Sequence, residues 1–248
     1  MQQQQTIKDF MVKDSNKSGV FFRPTQLEAF RYWDDIGHQY KSELEFCQDL
    51  VSHKDNDAMR LGRAVHELIQ NGRGHEPYSA KENLWFTTEF QEVVSKIFEK
   101  YYDYVLWERR GEKEYFVNGK LVTVYGTCDG LMPYEIIEIK TTSFISVRNY
   151  TESLQWRLYM DLFGCDKITY QIIELREYEL KSRASNLYLP IFDNNQAEKF
   201  GKMVCFSERQ TLTQYRYDFR DSILGYMDGL MSVLKRNGFI DRFYEKQY

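Results

Sequence analysis

The 248-residue chain has few of the residues that mark zinc-binding, iron–sulfur or membrane-spanning proteins. Its four cysteines, at positions 47, 128, 165 and 205, are far apart, which excludes CxxC zinc ribbons and local iron–sulfur motifs. No apolar run approaches the roughly 18 residues that a transmembrane helix needs. With only four prolines and no internal repeat, the sequence shows no clear domain boundary. We therefore expect free thiols in a reducing compartment and no membrane segment.

An excess of positive charge is also missing. The formal net charge is −4, from 37 acidic residues and 33 lysines and arginines. Proteins that coat nucleic acid are usually basic, so this composition excludes a bulk coating function. A local basic groove remains compatible with the composition, because the distribution of charge matters more than its sum.

The N-terminal segment is polar and lacks the apolar stretch of a secretory signal peptide, so we expect a cytoplasmic protein. Residues 1–19 are expected to form a flexible tail, as chain termini often do. Residues 20–248 are expected to form a single domain, with a core at about 57–176 and a helical C-terminal part at about 195–248.

Helical spacing of apolar residues dominates the first hundred residues. Residues 24–35 predict a helix that opens with Thr25 and Glu28 at the spacing of a capping box. A second helix begins near Asp57, and a third is expected from about Thr88 to Trp107. The apolar stripe of the second helix is Leu61, Ala64, Val65, Leu68 and Ile69.

The pattern then changes to strands. Asn118-Gly119 between two β-rich runs predicts a hairpin, and Pro133 marks the turn into the next strand. A helix that stops at Gly164 lies between strands within residues 135–175, which implies a parallel pair joined by a right-handed crossover. The predicted fold class is α/β, a central mixed sheet flanked by helices, with additional N- and C-terminal helices.

Two acidic residues and a lysine form the first candidate site. Glu138 and Lys140 lie two apart at the end of an apolar run, so in a strand they share one face. Asp129 ends the preceding strand, and the turn at Pro133 should bring it beside Glu138. A second acid-x-Lys triplet, at residues 179–181, shows no strand pattern.

Converging carboxylates repel each other unless a cation neutralises them. Carboxylate oxygens suit Mg²⁺ or Mn²⁺, and such an ion can activate water for attack on a phosphate. A lysine on the same face could position that water or hold a phosphate oxygen. The alternative is an ordinary salt bridge at a sheet edge, which is common in proteins.

Two helices carry further candidates. Gln155 and Tyr159 are four apart on one helix, so they share a face, although a polar half-buried face is the alternative explanation. His66 follows Gly62 by one turn, which leaves space before an imidazole that could ligate a divalent ion. A packed or surface histidine is the alternative for His66.

In chain order these features are Gly62-x-x-x-His66, Gly126-x-x-Asp129-Gly130, apolar-Glu138-Ile139-Lys140-Thr141 and Gln155-x-x-x-Tyr159. The series resembles the PD-(D/E)XK nuclease superfamily, and more narrowly its RecB-type and phage exonuclease branch. The resemblance implies a restriction-endonuclease-like fold. Cys128 replaces the proline of the family name. The iron–sulfur cysteines of several relatives are absent from the sequence.

The resemblance also assigns roles. It implies metal ligation by His66, Asp129, Glu138 and the carbonyl group of Ile139. It implies catalytic roles for Asp129, Glu138, Lys140, Gln155 and Tyr159. Five arginines around these motifs are candidate DNA phosphate contacts, with solvated surface arginines as the alternative. They are Arg60, Arg63, Arg73, Arg148 and Arg157.

The function that the resemblance implies is a Mg²⁺- or Mn²⁺-dependent deoxyribonuclease, and more narrowly an exonuclease of phage or mobile-element recombination or DNA processing. It would act on DNA ends or single strands in the cytoplasm of a bacterial or phage-infected cell. A single-strand annealing protein would be a possible recombination partner. The alternatives are an inactive nuclease fold that binds DNA or protein, and a structure-specific or restriction-type endonuclease. A nuclease fold that has lost catalytic activity usually lacks at least one of its two acidic residues and its lysine. All three, Asp129, Glu138 and Lys140, are present in this sequence.

Overall fold

A computed structural model describes residues 19–52, 57–71, 78–79, 84–86, 88–101, 103–179 and 202–244. The expected tail lies outside these residues except for Gly19, and so does Arg73. By their contacts the residues cluster into two compact units. The first unit comprises residues 1–51, 112–125 and 220–248, and the second comprises 52–111 and 126–219. A single domain over 20–248 stays a prediction.

Helices and strands follow one another in groups along the described parts of the chain. In order they are β1 (Val20–Phe22), α1 (Pro24–Asp35), α2 (Glu43–Val51), α3 (Asp57–Asn71), β2 (Tyr78–Ser79), β3 (Leu84–Phe86), α4 (Thr88–Tyr101), β4 (Leu106–Val117), β5 (Lys120–Leu131), β6 (Glu135–Thr142), α5 (Val147–Thr151), α6 (Leu154–Phe163), β7 (Lys167–Glu179), β8 (Lys202–Tyr215) and α7 (Arg220–Arg236). Strands β4 and β5 have residues in both units.

The first unit contains helix α1, which begins as predicted but is capped differently. The backbone N–H of Arg23 donates to Oε1 of Gln26 at 2.8 Å, so Gln26 closes the first turn. The predicted Thr25–Glu28 capping box is wrong, because Pro24 is already the first helical residue. Glu28 instead forms an ion pair with Arg31, one turn further along the helix.

The second unit contains a mixed sheet. Its strand order is β5, β6, β7, β8, β3, β2, and β4 also pairs with β5. Strands β5 and β6 are antiparallel, and β6 and β7 are parallel and joined through α5 and α6, as predicted. Strand β8 is antiparallel to β7 and parallel to β3. The predicted class, a mixed α/β sheet flanked by helices, is confirmed.

The core of the second unit lies between helices α3 and α4 and one face of the sheet. The entire predicted stripe of α3 is buried in it. The sheet contributes Ile137 and Ile139 from β6 and Ile173 and Leu175 from β7. Because side chains alternate along a strand, Glu138 and Lys140 must project from the opposite face. The core therefore determines which face of β6 carries the charged side chains.

Two sequence predictions of secondary structure are wrong. The third helix ends at Tyr101, where its carbonyl accepts from the N–H groups of Tyr104 and Val105, and Trp107 already belongs to β4. The C-terminal part is not all helical, because residues 202–215 form strand β8, although 220–236 form α7 as expected. Strand β8 obtains its hydrogen bonds from β7, a partner that local sequence cannot reveal.

None of the helices in the described parts of the chain combines the length and apolar character required to cross a bilayer.

The contact of Gly130 with its neighbours generates a stability prediction. A Cβ atom at residue 130 would lie 2.6 Å from Cγ1 of Val105 and 3.4 Å from Cβ of Ile137. Since a valine side chain is stiff, we expect Gly130→Ala to lower the free energy of unfolding by about 1–3 kcal/mol in urea titrations.

Gly62→Ala is the matched control. A Cβ atom there would meet Oγ1 of Thr141 at an ordinary 3.5 Å. Alanine is also favoured over glycine inside a helix by about 1 kcal/mol, so this variant should be as stable as the parent or more stable. Equal stability of the Gly130→Ala variant and the parent would contradict the packing described for β5.

Candidate functional site

The site forms where strands β5 and β6 separate. Beyond their last paired residues, carboxylates replace the backbone ladder. Oδ2 of Asp129 accepts from the N–H of Ile139 at 2.7 Å, and Oε1 of Glu138 accepts from the N–H of Asp129 at 3.3 Å. The two acidic residues are thus neighbours, as predicted. The ladder itself consists of the pairs Gly130–Ile137 and Leu131–Ile136.

Helix α3 brings His66 to the same point. Its Nδ1 lies 3.3 Å from Oδ1 of Asp129, and its Nε2 lies 3.1 Å from the carbonyl oxygen of Ile139. Gly62, one turn earlier, faces Thr141 of β6, where a Cβ atom would be in ordinary contact. The predicted role of Gly62 in leaving room for the histidine stays a prediction.

Lys140 projects beside Glu138 from the same face of β6. Its Nζ donates to Oε2 of Glu138 at 2.7 Å. Glu138 is only 1% exposed, whereas the Lys140 side chain retains 25% exposure. The Lys140 side chain is therefore more accessible to solvent than the carboxylate with which it pairs.

Burial and neighbouring charge shift the pKa values of these groups in different directions. Burial, together with the charge of Asp129, raises the pKa of Glu138 to about 7. Burial also acts to raise the pKa of Asp129, but His66 and Lys140 outweigh it, so that pKa is lowered. Burial lowers the pKa of Lys140, yet the two carboxylates raise it more, and the net shift is upward. The cluster thus contains one readily ionised and one reluctantly ionised carboxyl group.

Helix α6 supports β5 rather than the carboxylates. Nε2 of Gln155 donates to the Tyr159 hydroxyl at 3.4 Å, and this hydroxyl donates to the carbonyl of Thr127 at 3.1 Å. Ser153 caps the helix by accepting from the N–H of Gln155. Gln155 and Tyr159 share a face as predicted, and they hold the backbone two residues before Asp129. Their catalytic roles stay predictions.

The donor types of the site suit a divalent cation. Imidazole nitrogen, carboxylate and carbonyl oxygens are ligands of Mg²⁺ or Mn²⁺ sites. His66 can offer only one ring nitrogen to such an ion: Nδ1 lies 3.3 Å from Oδ1 of Asp129, and Nε2 lies 3.1 Å from the carbonyl oxygen of Ile139.

Like Asp129, which accepts from the N–H of Ile139, Glu138 is engaged by other groups of the protein. Its two carboxylate oxygens contact Nζ of Lys140 and the N–H of Asp129. Accordingly, no group of three or more His, Cys, Asp or Glu side chains in the described part of the chain is arranged as a metal-binding cluster. The residues fit a divalent ion by donor chemistry, and metal binding remains a proposal.

The arginines that were predicted to contact DNA phosphates differ in their burial and in their distance from the carboxylates. Arg60 and Arg63 lie half-buried on α3, the helix of His66. Arg148 is exposed on α5 and pairs with Glu152. The guanidinium of Arg157 lies over the rings of Trp156 and Tyr217. Two residues along a helix correspond to about 200°, so Arg157 lies on the side of α6 opposite Gln155 and away from the carboxylates.

Several supporting residues were not predicted from the sequence. The Thr127 carbonyl holds Tyr159, and Glu174 of β7 accepts from the N–H of Ile145 in the loop after β6. Tyr150 is hydrogen-bonded by Thr142. Each contact joins residues on different elements or uses a backbone atom, so no local motif marks it.

Comparison with known proteins identifies exonucleases among similar solved structures. One is an alkaline exonuclease from Laribacter hongkongensis, which is 10% identical to this chain in sequence. The match covers 89% of this chain and 91% of that one, with a TM-score of 0.46. A phage-related exonuclease from Haemophilus somnus 129PT has 13% identity and a TM-score of 0.34, over 89% and 80% of the two chains. No protein-family model and no curated protein matches the sequence. These likenesses are too distant to define an activity.

The contact between His66 and Asp129 generates a pH-dependent prediction for the metal-free protein. Burial lowers the pKa of His66, but Asp129 raises it more, so the net value lies above the ordinary 6.5. The protonated pair should therefore contribute stability below pH 6.5 and lose it as the pH rises through the folded-state pKa.

In Asp129→Asn the charge is gone while burial remains, so the pKa of His66 should fall. The change in the pKa of His66 is measured by an NMR titration of the imidazole resonances in EDTA. Both proteins carry His38→Gln, which removes the signal of another described histidine. An unchanged His66 pKa in Asp129→Asn would contradict the contact.

Proposed function

We propose that this chain is a divalent-metal-dependent deoxyribonuclease that hydrolyses phosphodiester bonds. One observation carries the proposal: Asp129, Glu138, Lys140 and His66 meet where two strands of the sheet separate. A surface salt bridge needs only two of these groups. Two adjacent carboxylates, buried and unequal in pKa, are instead the arrangement that a bound cation would stabilise.

The residues that would hold Mg²⁺ or Mn²⁺ are His66, Asp129, Glu138 and the carbonyl of Ile139. A bound ion of this kind lowers the pKa of a water ligand and offsets charge that develops on a phosphate. The N–H of Ile139 fixes one oxygen of Asp129 at 2.7 Å, so this carboxylate is oriented by the backbone of the neighbouring strand. Preorganisation of this kind reduces the rearrangement needed for the reaction.

Lys140 would act on the phosphate or on the attacking water. Its ammonium group lies at 2.7 Å from Glu138, and its side chain is 25% exposed, so we expect it to donate to an oxygen that enters from solvent. Gln155 and Tyr159 would keep β5 in place through the Thr127 carbonyl. These two residues would therefore influence the reaction by positioning Asp129.

The finer proposal is an exonuclease. It is supported by the resemblance of the motifs to the RecB-type and phage exonuclease branch. Within the described residues we identify one such cluster, so we expect a monomer to cut one strand at a time. Arg60, Arg63, Arg73, Arg148 and Arg157 stay predicted phosphate contacts. Association with a single-strand annealing protein stays a prediction of the same resemblance.

Substitution of Asp129 tests the proposed activity. Asp129→Asn and Glu138→Gln remove charge at nearly constant shape, so both should reduce Mn²⁺- or Mg²⁺-dependent DNA cleavage by about 100-fold or more, with circular dichroism unchanged. EDTA should abolish cleavage by the parent protein. The matched control is Glu179→Gln, in the second acid-x-Lys triplet, which should retain activity. Parental activity in Asp129→Asn would overturn the assignment.

DNA topology tests the exonuclease proposal. Covalently closed circular plasmid and the same plasmid after linearisation are incubated with equal enzyme and Mn²⁺ and analysed on gels. An enzyme that needs a strand end should degrade the linear form progressively and leave the circle intact. Discrete fragments, or nicking of the circle at a comparable rate, would indicate an endonuclease.

A further inference from the structure

The loop after strand β6 holds an aromatic ring in solvent. Phe144 is 74% exposed, although burying an aromatic side chain is normally favourable. It follows Lys140 by four residues, which span at most about 14 Å when fully extended. The ring therefore lies close to the carboxylate and lysine cluster, at the same end of β6.

The backbone of this loop is fixed by hydrogen bonds. The Thr142 hydroxyl donates to the carbonyl of Phe144 at 2.7 Å and lies 3.1 Å from its N–H. The next N–H, of Ile145, donates to the buried carboxylate of Glu174 at 3.2 Å. Because the backbone is hydrogen-bonded at two consecutive residues, the exposed ring of Phe144 projects from a defined position.

Phe144 is flanked in the chain by the exposed Ser143 and the half-buried Ile145. Thr142 is half-buried, and the next exposed apolar residue along the chain is Val147. Protein-binding surfaces usually offer contiguous apolar areas of several hundred Å². A single exposed ring that no exposed apolar neighbour in the loop extends is better suited to stacking against one planar group.

We propose that Phe144 is a stacking platform for an unpaired base of the strand whose phosphate lies at the Asp129–Lys140 cluster. This inference rests on the proposed nuclease function and deepens it, because it makes the substrate a strand with unpaired bases beside the cleavage point. At 3.4 Å per nucleotide, the maximal span of about 14 Å corresponds to roughly four nucleotides or fewer. Aromatic platforms of this type bind every base, because every base has a π-face.

Three substitutions separate stacking from other roles. Phe144→Ala removes the ring, Phe144→Trp retains an aromatic face, and Phe144→Leu retains only apolar contact. Tyr134→Ala is the matched control, because Tyr134 is also 74% exposed and precedes β6 at its other end. The eight residues of β6 separate the two positions by about 26 Å.

Affinity is measured by fluorescence anisotropy in Ca²⁺ without Mg²⁺ or Mn²⁺, on duplexes with single-stranded ends. Phe144→Ala should raise Kd roughly 5- to 150-fold, the range that stacking of one base contributes. Phe144→Trp should restore the parental Kd, Phe144→Leu should not, and Tyr134→Ala should match the parent. Thermal melts verify that each variant is folded, as expected for exposed positions.

Two results would overturn the proposal. Parental affinity in Phe144→Ala would show that the ring does not contact the strand, and equal affinity of the leucine and tryptophan variants would show simple apolar contact. Failure of this inference remains distinct from failure of the proposed function. If only this inference fails, the parent still cleaves DNA with Mn²⁺ and Asp129→Asn does not. If the proposed function fails, either the parent does not cleave DNA or Asp129→Asn cleaves it as well as the parent.

Discussion

The separation of strands β5 and β6 is the constraint on which the candidate site depends. Where the ladder ends, the N–H groups of Asp129 and Ile139 would need new partners, since buried backbone donors are costly to leave unpaired. The side chains of Glu138 and Asp129 accept from them. The same hydrogen bonds that complete the backbone therefore hold two carboxylates side by side.

This arrangement concentrates negative charge in a buried place. The structure offsets the charge with an imidazole from α3 and an ammonium group from β6 itself. Burial, together with the charge of Asp129, nevertheless raises the pKa of Glu138. Replacing either carboxylate by a neutral group would remove the repulsion between the two.

The surrounding elements contribute position rather than charge. Helix α3 is anchored by its apolar stripe on β6 and β7, which places His66 beside the Ile139 carbonyl. Helix α6 reaches β5 through the Tyr159 hydroxyl. Hydrophobic packing thus sets the distances between polar groups that lie on separate elements, and small changes at the core faces would alter the site.

Local sequence was sufficient for the α3 stripe, the Asn118-Gly119 hairpin and the adjacency of Asp129 and Glu138, because each follows from periodicity or a short turn. Strand β8 was missed, since its pairing partner β7 lies beyond residues 180–200 in the chain. The contacts of His66 with Ile139 and of Tyr159 with Thr127 also depended on the tertiary structure. They join residues far apart in sequence through backbone carbonyls, which carry no side-chain signal.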